Sequence, residues 1–181
     1  MTKYFRIESQ ITPELYENFK ITMSNINEDI VVLLKSPGGT PHIAEYMYND
    51  LKNFEYNTTV YAYDYIDSAA VILFLGFKNR YATENTTYLI HPTATERSNL
   101  PQYSNAYDLE RAISVLKQTD EMVLNLINSE MTLIDDKEIS KDFLFKLMIL
   151  SRRFSAETAK EYGLVHSIEN IPQITEIIDL T

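Results

Sequence analysis

Cysteine is absent from the 181 residues, and basic residues are scarce. Without a thiol the chain can form no disulfide, no thiolate metal site and no cysteine nucleophile. Its 16 Lys and Arg are outnumbered by 26 Asp and Glu, which gives a formal net charge of −10. Because an acidic surface repels phosphate backbones, we do not expect nucleic acid as a partner.

Long apolar runs and targeting signals are missing too. The longest uncharged apolar stretch is Ala69–Phe77, whereas a membrane-spanning helix needs about 20 residues. Met1–Gln10 contains Lys3, Arg6 and Glu8 and no apolar run, which excludes a secretory signal. No linker, repeat or low-complexity tract divides the chain. We therefore expect one domain over residues 1–181, located in the cytoplasm and without a membrane partner.

Glycine and proline are few, four and six, so each one marks a boundary. Ile30–Leu34 is a continuous β-branched and aliphatic run, typical of a strand buried on both faces. It ends at the turn Ser36-Pro37-Gly38-Gly39. Thr40 and Pro41 then favour the N-cap and first residue of an amphipathic helix.

The same alternation continues along the chain. A strand over Thr58–Tyr63, broken at Asp64–Ser68, leads into a buried helix over Ala69–Phe77 that Gly76 can end. Strands are predicted next at Arg80–Thr83 and Thr86–His91, helices at Ser104–Met131, Lys137–Leu150 and from the Ser155 cap to Tyr162 with Gly163 as C′, and a closing strand at Leu164–Ile168. Strands that alternate with helices predict an α/β fold with a largely parallel sheet.

Two side chains lie at the carboxyl ends of predicted strands, where active-site residues of parallel sheets are usually found. His91 ends the apolar strand Tyr88–Ile90, and Pro92 stops the pairing there, so His91 lies at a carboxyl end. Ser68 begins the buried helix, where backbone N–H groups and the helix dipole can stabilise an oxyanion. The same pattern is typical of a plain N-cap serine and of a surface or hydrogen-bonded core histidine, so both interpretations stay open.

Gly38 and Gly39 also allow two interpretations. They can form a turn that requires positive φ, or they can leave the backbone bare so that a substrate carbonyl approaches its N–H. No Gly-Lys-Ser/Thr follows and no GxGxxG occurs, which excludes the common phosphate-binding loops. No HExxH motif or clustered Asp indicates a metal site, and we predict no cofactor.

Four segments together resemble the proteolytic subunit of the Clp protease and its relatives, which lie within the crotonase-like (ClpP/crotonase) fold. In order, they are Ser36–Gly39, Asp67–Ala70, Tyr88–Pro92 and Phe154–Val165. Their order and spacing are compatible with the family over about Asp29 to Ile168. The resemblance implies repeated β-β-α units with a mainly parallel sheet.

The resemblance also implies roles for four residues. Ser68 matches the nucleophile and His91 the general base, while Gly39 and Ala69 match the residues whose N–H groups form the oxyanion hole. A serine hydroxyl is a poor nucleophile until a neighbouring imidazole removes its proton, so the pair makes chemical sense. The implied activity is hydrolysis of peptide or unfolded-protein substrates through an acyl-enzyme on Ser68.

Relatives assemble into rings, which implies a homo-oligomer. That assembly would cover any exposed apolar face on the helix Ser104–Met131 or on the tail Ile171–Ile178. Because the turn begins as early as Ser36, we expect the family's axial-loop and leader segments to be shortened. Docking to a partner ATPase chaperone is therefore possible but not favoured.

The sequence departs from the family at its acid position, which corresponds to Ser151. Either the site is a Ser–His dyad, or another acid completes a triad, because a triad without its acid can lose ~10⁴ in kcat. Four acids are candidates by region: Asp120, Asp135, Asp136 and Asp142. Asp67 also stands where relatives usually have a small residue, and His166 where an aspartate often follows.

Two alternatives to an active peptidase follow. The missing acid would suit a catalytically weak or inactive relative that acts by assembly or peptide binding. A crotonase-type acyl-CoA enzyme would use two backbone N–H groups to stabilise an enolate. Ser68 and His91 in paired positions argue against the acyl-CoA alternative.

Overall fold

The chain folds into a mainly parallel β-sheet with helices packed against it. The structure is a computed structural model that describes residues 2–94, 105–131 and 140–181. The elements in chain order are β1 Thr2–Ile7, α1 Pro13–Ser24, β2 Asp29–Ser36, α2 Pro41–Asn53, β3 Thr58–Asp67, α3 Ala69–Leu75, β4 Asn79–Ala82, β5 Thr87–Leu89, α4 Ala106–Glu130, α5 Lys141–Leu150, β6 Phe154–Ser155, α6 Ala156–Glu161, β7 Ser167–Ile168 and β8 Ile178–Asp179. The predicted α/β class is confirmed.

The sheet runs in the order β6-β5-β3-β2-β1-β8, and β4 pairs with both β3 and β7. The recorded strand pairings are parallel except that between β5 and β6. β3 is the central strand, since it pairs with β2 on one side and with β4 and then β5 on the other. This arrangement brings the carboxyl ends of β2, β3 and β5 to one edge of the sheet.

β3 is longer than the sequence predicted. The prediction ended the strand at Tyr63 and placed a break over Asp64–Ser68, and this was wrong. Tyr65, Ile66 and Asp67 continue the strand because β5 pairs with them. Asp64 has a positive φ of 63°, and the register to β2 shifts between Leu34 and Ser36 beside it. The polar residue therefore marks an irregularity within the strand.

The buried helix predicted after β3 is confirmed as α3. All seven of its side chains are buried, as expected of a short helix that is apolar all round. It packs against α2, α4 and the sheet. Gly76 is its C-cap. A helix this enclosed holds its first residues, at the carboxyl end of β3, in a defined place.

The long helix α4 is buried over only its second half. Its buried residues are Thr119, Val123, Leu124 and Ile127. In the first half Leu109 is 45% exposed and Ile113 51% exposed. The structure therefore leaves apolar side chains of the first half in solvent.

The end of α4 is fastened by a buried guanidinium. Arg80 on β4 donates from Nε to Leu164 O at 2.8 Å and from Nη2 to Glu130 O at 3.2 Å. The Glu130 carboxylate accepts from Lys52 at 2.7 Å and from the Tyr48 hydroxyl. Burial acts to raise the pKa of Glu130, but these two hydrogen bonds and the nearby cations outweigh it, so the pKa lies below its ordinary value.

Other predicted elements are present, but they begin or end at different residues from those predicted. The closing strand predicted over Leu164–Ile168 is reduced to β7, because Leu164 and Val165 turn back after α6 and bond to Ala159 O. The part of the predicted helix that precedes Ser140 lies outside the described residues. The sequence patterns did not predict β1, α1, β6 or β8. Within the described ranges, no helix is both long and apolar enough to cross a membrane.

Candidate active site

Ser68 lies in the sharp turn between β3 and α3. Its φ of 55° and ψ of −128° are unusual for a residue with a side chain, and such conformations cost about 1–3 kcal/mol and collect at functional sites. Its N–H donates to Leu89 O at 2.7 Å, which ties the turn to the end of β5. Ser68 occupies the N-cap position of α3, yet its hydroxyl makes no capping hydrogen bond. Capping therefore does not account for this serine.

His91 lies two residues beyond the end of β5, next to Pro92. Its Nδ1 lies 2.8 Å from Pro92 O. A carbonyl oxygen can only accept, so Nδ1 carries the proton and donates, and in the neutral ring Nε2 keeps a free lone pair. This is the tautomer that a general base needs.

One cavity of about 120 Å³ joins the predicted residues. Its lining residues are Gly39, Pro41, Ser68, Ala69, Ile72, Ile90, His91, Thr93, Ala94 and Val123. All four residues predicted for the site, two side chains and two backbone groups, are among them. Among the described residues of this lining, His91 is the one titratable side chain. In the described part of the chain, no hydrogen bond joins the Ser68 hydroxyl to His91.

The backbone N–H groups of Gly39 and Ala69 take no part in the hydrogen bonds of the neighbouring bridge and helix. Gly39 forms a parallel bridge with Ile11, in which Ile11 N–H donates to Gly38 O and Thr40 N–H donates to Ile11 O. Such a bridge uses the neighbours of Gly39 and not its own N–H. Ala69 is the first residue of α3, where N–H groups have no intrahelical partner. Both groups therefore remain able to bind a ligand oxygen.

The two glycines are required by close backbone approach. A Cβ on Gly38, at φ 93°, would lie 2.6 Å from Asp67 O and 2.7 Å from Ser68 Cβ. A Cβ on Gly39, at φ 148°, would lie 2.3 Å from Ile11 O. The structure therefore supports the first interpretation, because the turn needs these φ values and has no room for a Cβ, whereas the approach of a substrate carbonyl stays a prediction.

Ser151 is the C-cap of α5 and does not serve the histidine. It has φ 47°, and its hydroxyl donates to Met148 O at 3.2 Å. The segment that follows it runs along β5 through the antiparallel pair of β5 and β6. Within the described residues, no carboxylate hydrogen-bonds to His91. Ser151 therefore replaces the family acid without taking over its contact.

The unusual Asp67 has a partner in that same segment. Arg153 donates from Nη1 to Asp67 Oδ1 at 2.7 Å and from Nη2 to Asp67 Oδ2 at 2.5 Å, a bidentate pair. Asp67 is 7% exposed. A buried carboxylate needs such a partner, and the pair fastens the end of β3 to the segment before β6. The pair thus links the departure at Asp67 to the segment that begins with the departure at Ser151.

Of the four candidate acids, Asp120 on α4 contacts the backbone of a residue that lines the cavity, Thr93. Its Oδ1 accepts from Thr93 N–H at 2.6 Å. Asp142 is exposed in the first turn of α5. Asp135 and Asp136 lie outside the described residues.

Sequence reasoning missed two contacts at the site. Pro92 was interpreted only as a strand stop, although its carbonyl accepts from His91. Arg153 was not singled out, although the unexpected acid at Asp67 could have indicated a basic partner. The hydrogen bond from His91 to Pro92 carried no signal in the sequence, since any residue offers a carbonyl.

Comparisons with known proteins agree with the fold. A ClpP1 mutant from Listeria monocytogenes, a solved structure, superposes with a TM-score of 0.77 at 21% identity, over 93% of this chain and 92% of that chain. This likeness confirms the predicted ClpP-type, crotonase-like fold. No curated protein sequence matches the chain. The family model described as Clp protease matches residues 5–171, and on this match the chain belongs to the Clp protease family.

Proposed function

We propose that the chain is a serine-type peptidase in which Ser68 is the nucleophile and His91 the general base. One observation carries the proposal: a single cavity is lined by the strained, uncapped Ser68, by His91 and by the two unused N–H groups of Gly39 and Ala69. Nucleophile, base and oxyanion donors around one reacting atom are what acyl transfer requires.

The chemistry follows from these positions. His91 Nε2 takes the hydroxyl proton as Ser68 Oγ attacks the peptide carbonyl, and the N–H groups of Gly39 and Ala69 bind the oxyanion that forms. The imidazolium then gives its proton to the leaving amine, and water releases the acyl group from Ser68 by the same route. We propose peptides or unfolded protein segments as substrates, since an extended chain can bring its carbonyl to an open cavity.

An inactive or weak relative is the second candidate. It is favoured by the lack of a carboxylate on His91 among the described residues. The two candidates differ in one measurement, which is covalent labelling. The crotonase-type alternative has no specific contact in its favour, since none of the described residues that line the cavity is a Lys or Arg that could bind a CoA phosphate.

A fluorophosphonate probe is expected to label the wild-type protein at Ser68. The probe forms a covalent bond only with a serine that a base activates, so labelling reads the Ser68–His91 pair directly. Mass spectrometry of the digested protein locates the adduct. The His91→Ala variant is expected to lose the label, whereas His42→Ala, which changes an exposed histidine on α2, is expected to keep it. An unlabelled wild-type protein would favour the inactive relative.

We also propose that the chain is a homo-oligomer, as the family and the exposed apolar side chains of α4 support. We expect sedimentation to give several times the mass of one chain, because the exposed face leaves apolar surface that association would bury. Leu109→Asp with Ile113→Asp is expected to give smaller species. Ile21→Asp, on an α1 residue that is 61% exposed, is the matched control and is expected to leave assembly unchanged. A wild-type monomer at micromolar concentration would contradict the proposal.

The remaining expectations stay predictions. Docking to a partner ATPase chaperone and a location in the cytoplasm are among them.

A further inference from the structure

The peptide group between Pro92 and Thr93 is hydrogen-bonded at both ends. Its carbonyl oxygen accepts from His91 Nδ1 at 2.8 Å, and its N–H donates to Asp120 Oδ1 at 2.6 Å. The C=O and N–H of a trans peptide group point in opposite directions. This one group therefore stands between the carboxylate and the histidine.

Asp120 is placed for this contact by the packing of α4. It is half-buried and lies in the half of the helix that packs on the body of the protein. Val123, three residues on and on the same face of the helix, lines the cavity with Ser68 and His91. The helix that closes one wall of the cavity thus also delivers the carboxylate.

The charge of Asp120 can reach His91 through the peptide group. Hydrogen bonds to an ionised acceptor are short and roughly twice as strong as neutral ones, and the 2.6 Å distance fits that class. Linked hydrogen bonds polarise one another. A carboxylate on the N–H makes the Pro92 carbonyl a better acceptor, which favours the proton on Nδ1 and stabilises the imidazolium during acyl transfer.

We propose that Asp120 is a positioning residue that orients His91 through the Pro92–Thr93 peptide and so takes over the part of the missing family acid. The proposal deepens the proposed function and rests on it for its effect on catalysis. Its structural half, control of the His91 tautomer, does not depend on activity.

The test uses two variants of Asp120 in the full-length protein, with a neighbour as control. Asp120→Leu removes the acceptor at similar size, whereas Asp120→Asn keeps an acceptor oxygen but loses the charge. Glu121→Gln removes one charge from the adjacent, exposed position, where the carboxylate pairs with Lys141 at the surface. NMR of protein labelled with ¹⁵N at histidine reads which ring nitrogen of His91 carries the proton, and peptide hydrolysis reads kcat and KM.

In the wild type and in Glu121→Gln, the proton of neutral His91 is expected on Nδ1. Asp120→Leu is expected to give a mixture of tautomers and a kcat lowered about 10–100-fold, as for lost outer partners of other sites, with KM changed little. Asp120→Asn is expected to keep the tautomer and to lose less of kcat. A merely structural residue would lower the melting temperature without moving the tautomer.

The outcomes separate this inference from the proposed function. An unchanged His91 tautomer in folded Asp120→Leu overturns the inference, whatever the activity. If Asp120→Leu does not fold, an Asp120→Asn variant with undiminished kcat overturns it in an active enzyme. A tautomer that responds to Asp120→Leu in a wild type without hydrolysis or labelling supports the positioning role and overturns the peptidase proposal alone.

Discussion

Replacing Ser68 by alanine is expected to lower peptide hydrolysis at least about 10³-fold, and His91→Ala by a similar factor. The two side chains act in one step, since the imidazole has a catalytic part only when it takes the proton of the hydroxyl. The double variant is therefore expected to be little slower than either single variant. Initial rates with a short fluorogenic peptide, at saturating and at low concentration, give kcat and kcat/KM for each.

Ser24→Ala is the matched control for this series. Ser24 is an exposed serine at the end of α1, remote from the cavity in the sequence and in the fold, and we expect its replacement to leave the rate unchanged. Turnover that persists undiminished in Ser68→Ala would place the activity at another residue. Additive losses in the double variant would show that the two side chains do not act together.

The second large effect is on stability, at the buried Arg80. We expect Arg80→Met to lower the free energy of unfolding by about 3–5 kcal/mol and the melting temperature by on the order of 10 °C. Arg80 is 4% exposed, and burial lowers its pKa while the charge of Glu130 opposes that shift. Its loss would remove the hydrogen bonds that Arg80 donates to the carbonyls of Leu164 and Glu130, and one cation beside the Glu130 carboxylate.

Chemical denaturation and thermal melts measure the effect of Arg80→Met. Arg6→Met removes an arginine from a bidentate pair with Asp179 that lies in solvent, and surface ion pairs contribute little, so a much smaller drop is expected. A loss in Arg80→Met no larger than in Arg6→Met would contradict the structural role of the buried guanidinium. Because Arg80 holds the end of α4, the larger loss would also disturb the helix that contains Asp120.

Much of the strand and helix pattern was predictable because its signals are local. The buried run in β2, the glycine turn, the apolar helix α3 and the cap at Ser155 each lie within a few neighbouring residues. The predicted end of β3 at Tyr63 failed for the opposite reason. Asp64 indicates a break when the sequence is taken alone, but β5 supplies the hydrogen bonds that continue the strand.

Two of the missed elements, β6 and β8, share that dependence on distant partners. β8 has two residues and exists only as a pair with β1, and β6 only as a pair with β5. Two residues cannot show an alternation of apolar and polar side chains. The exposed half of α4 likewise carries the same apolar periodicity as its buried half, so its sequence could not tell which half packs on this chain.

The sequence by itself determined the class of the fold, through the alternation of strands and helices, and it made Ser68 and His91 the candidate pair, through the resemblance of four short segments to the family. Only the tertiary structure decided what accompanies the pair. The contact from Thr93 to Asp120 joins residues 27 apart in the sequence, and that from Arg153 to Asp67 joins residues 86 apart. A carboxylate is recognisable in the sequence as a charge, but the group that it binds depends on which elements pack together, because a hydrogen bond forms only within about 3 Å.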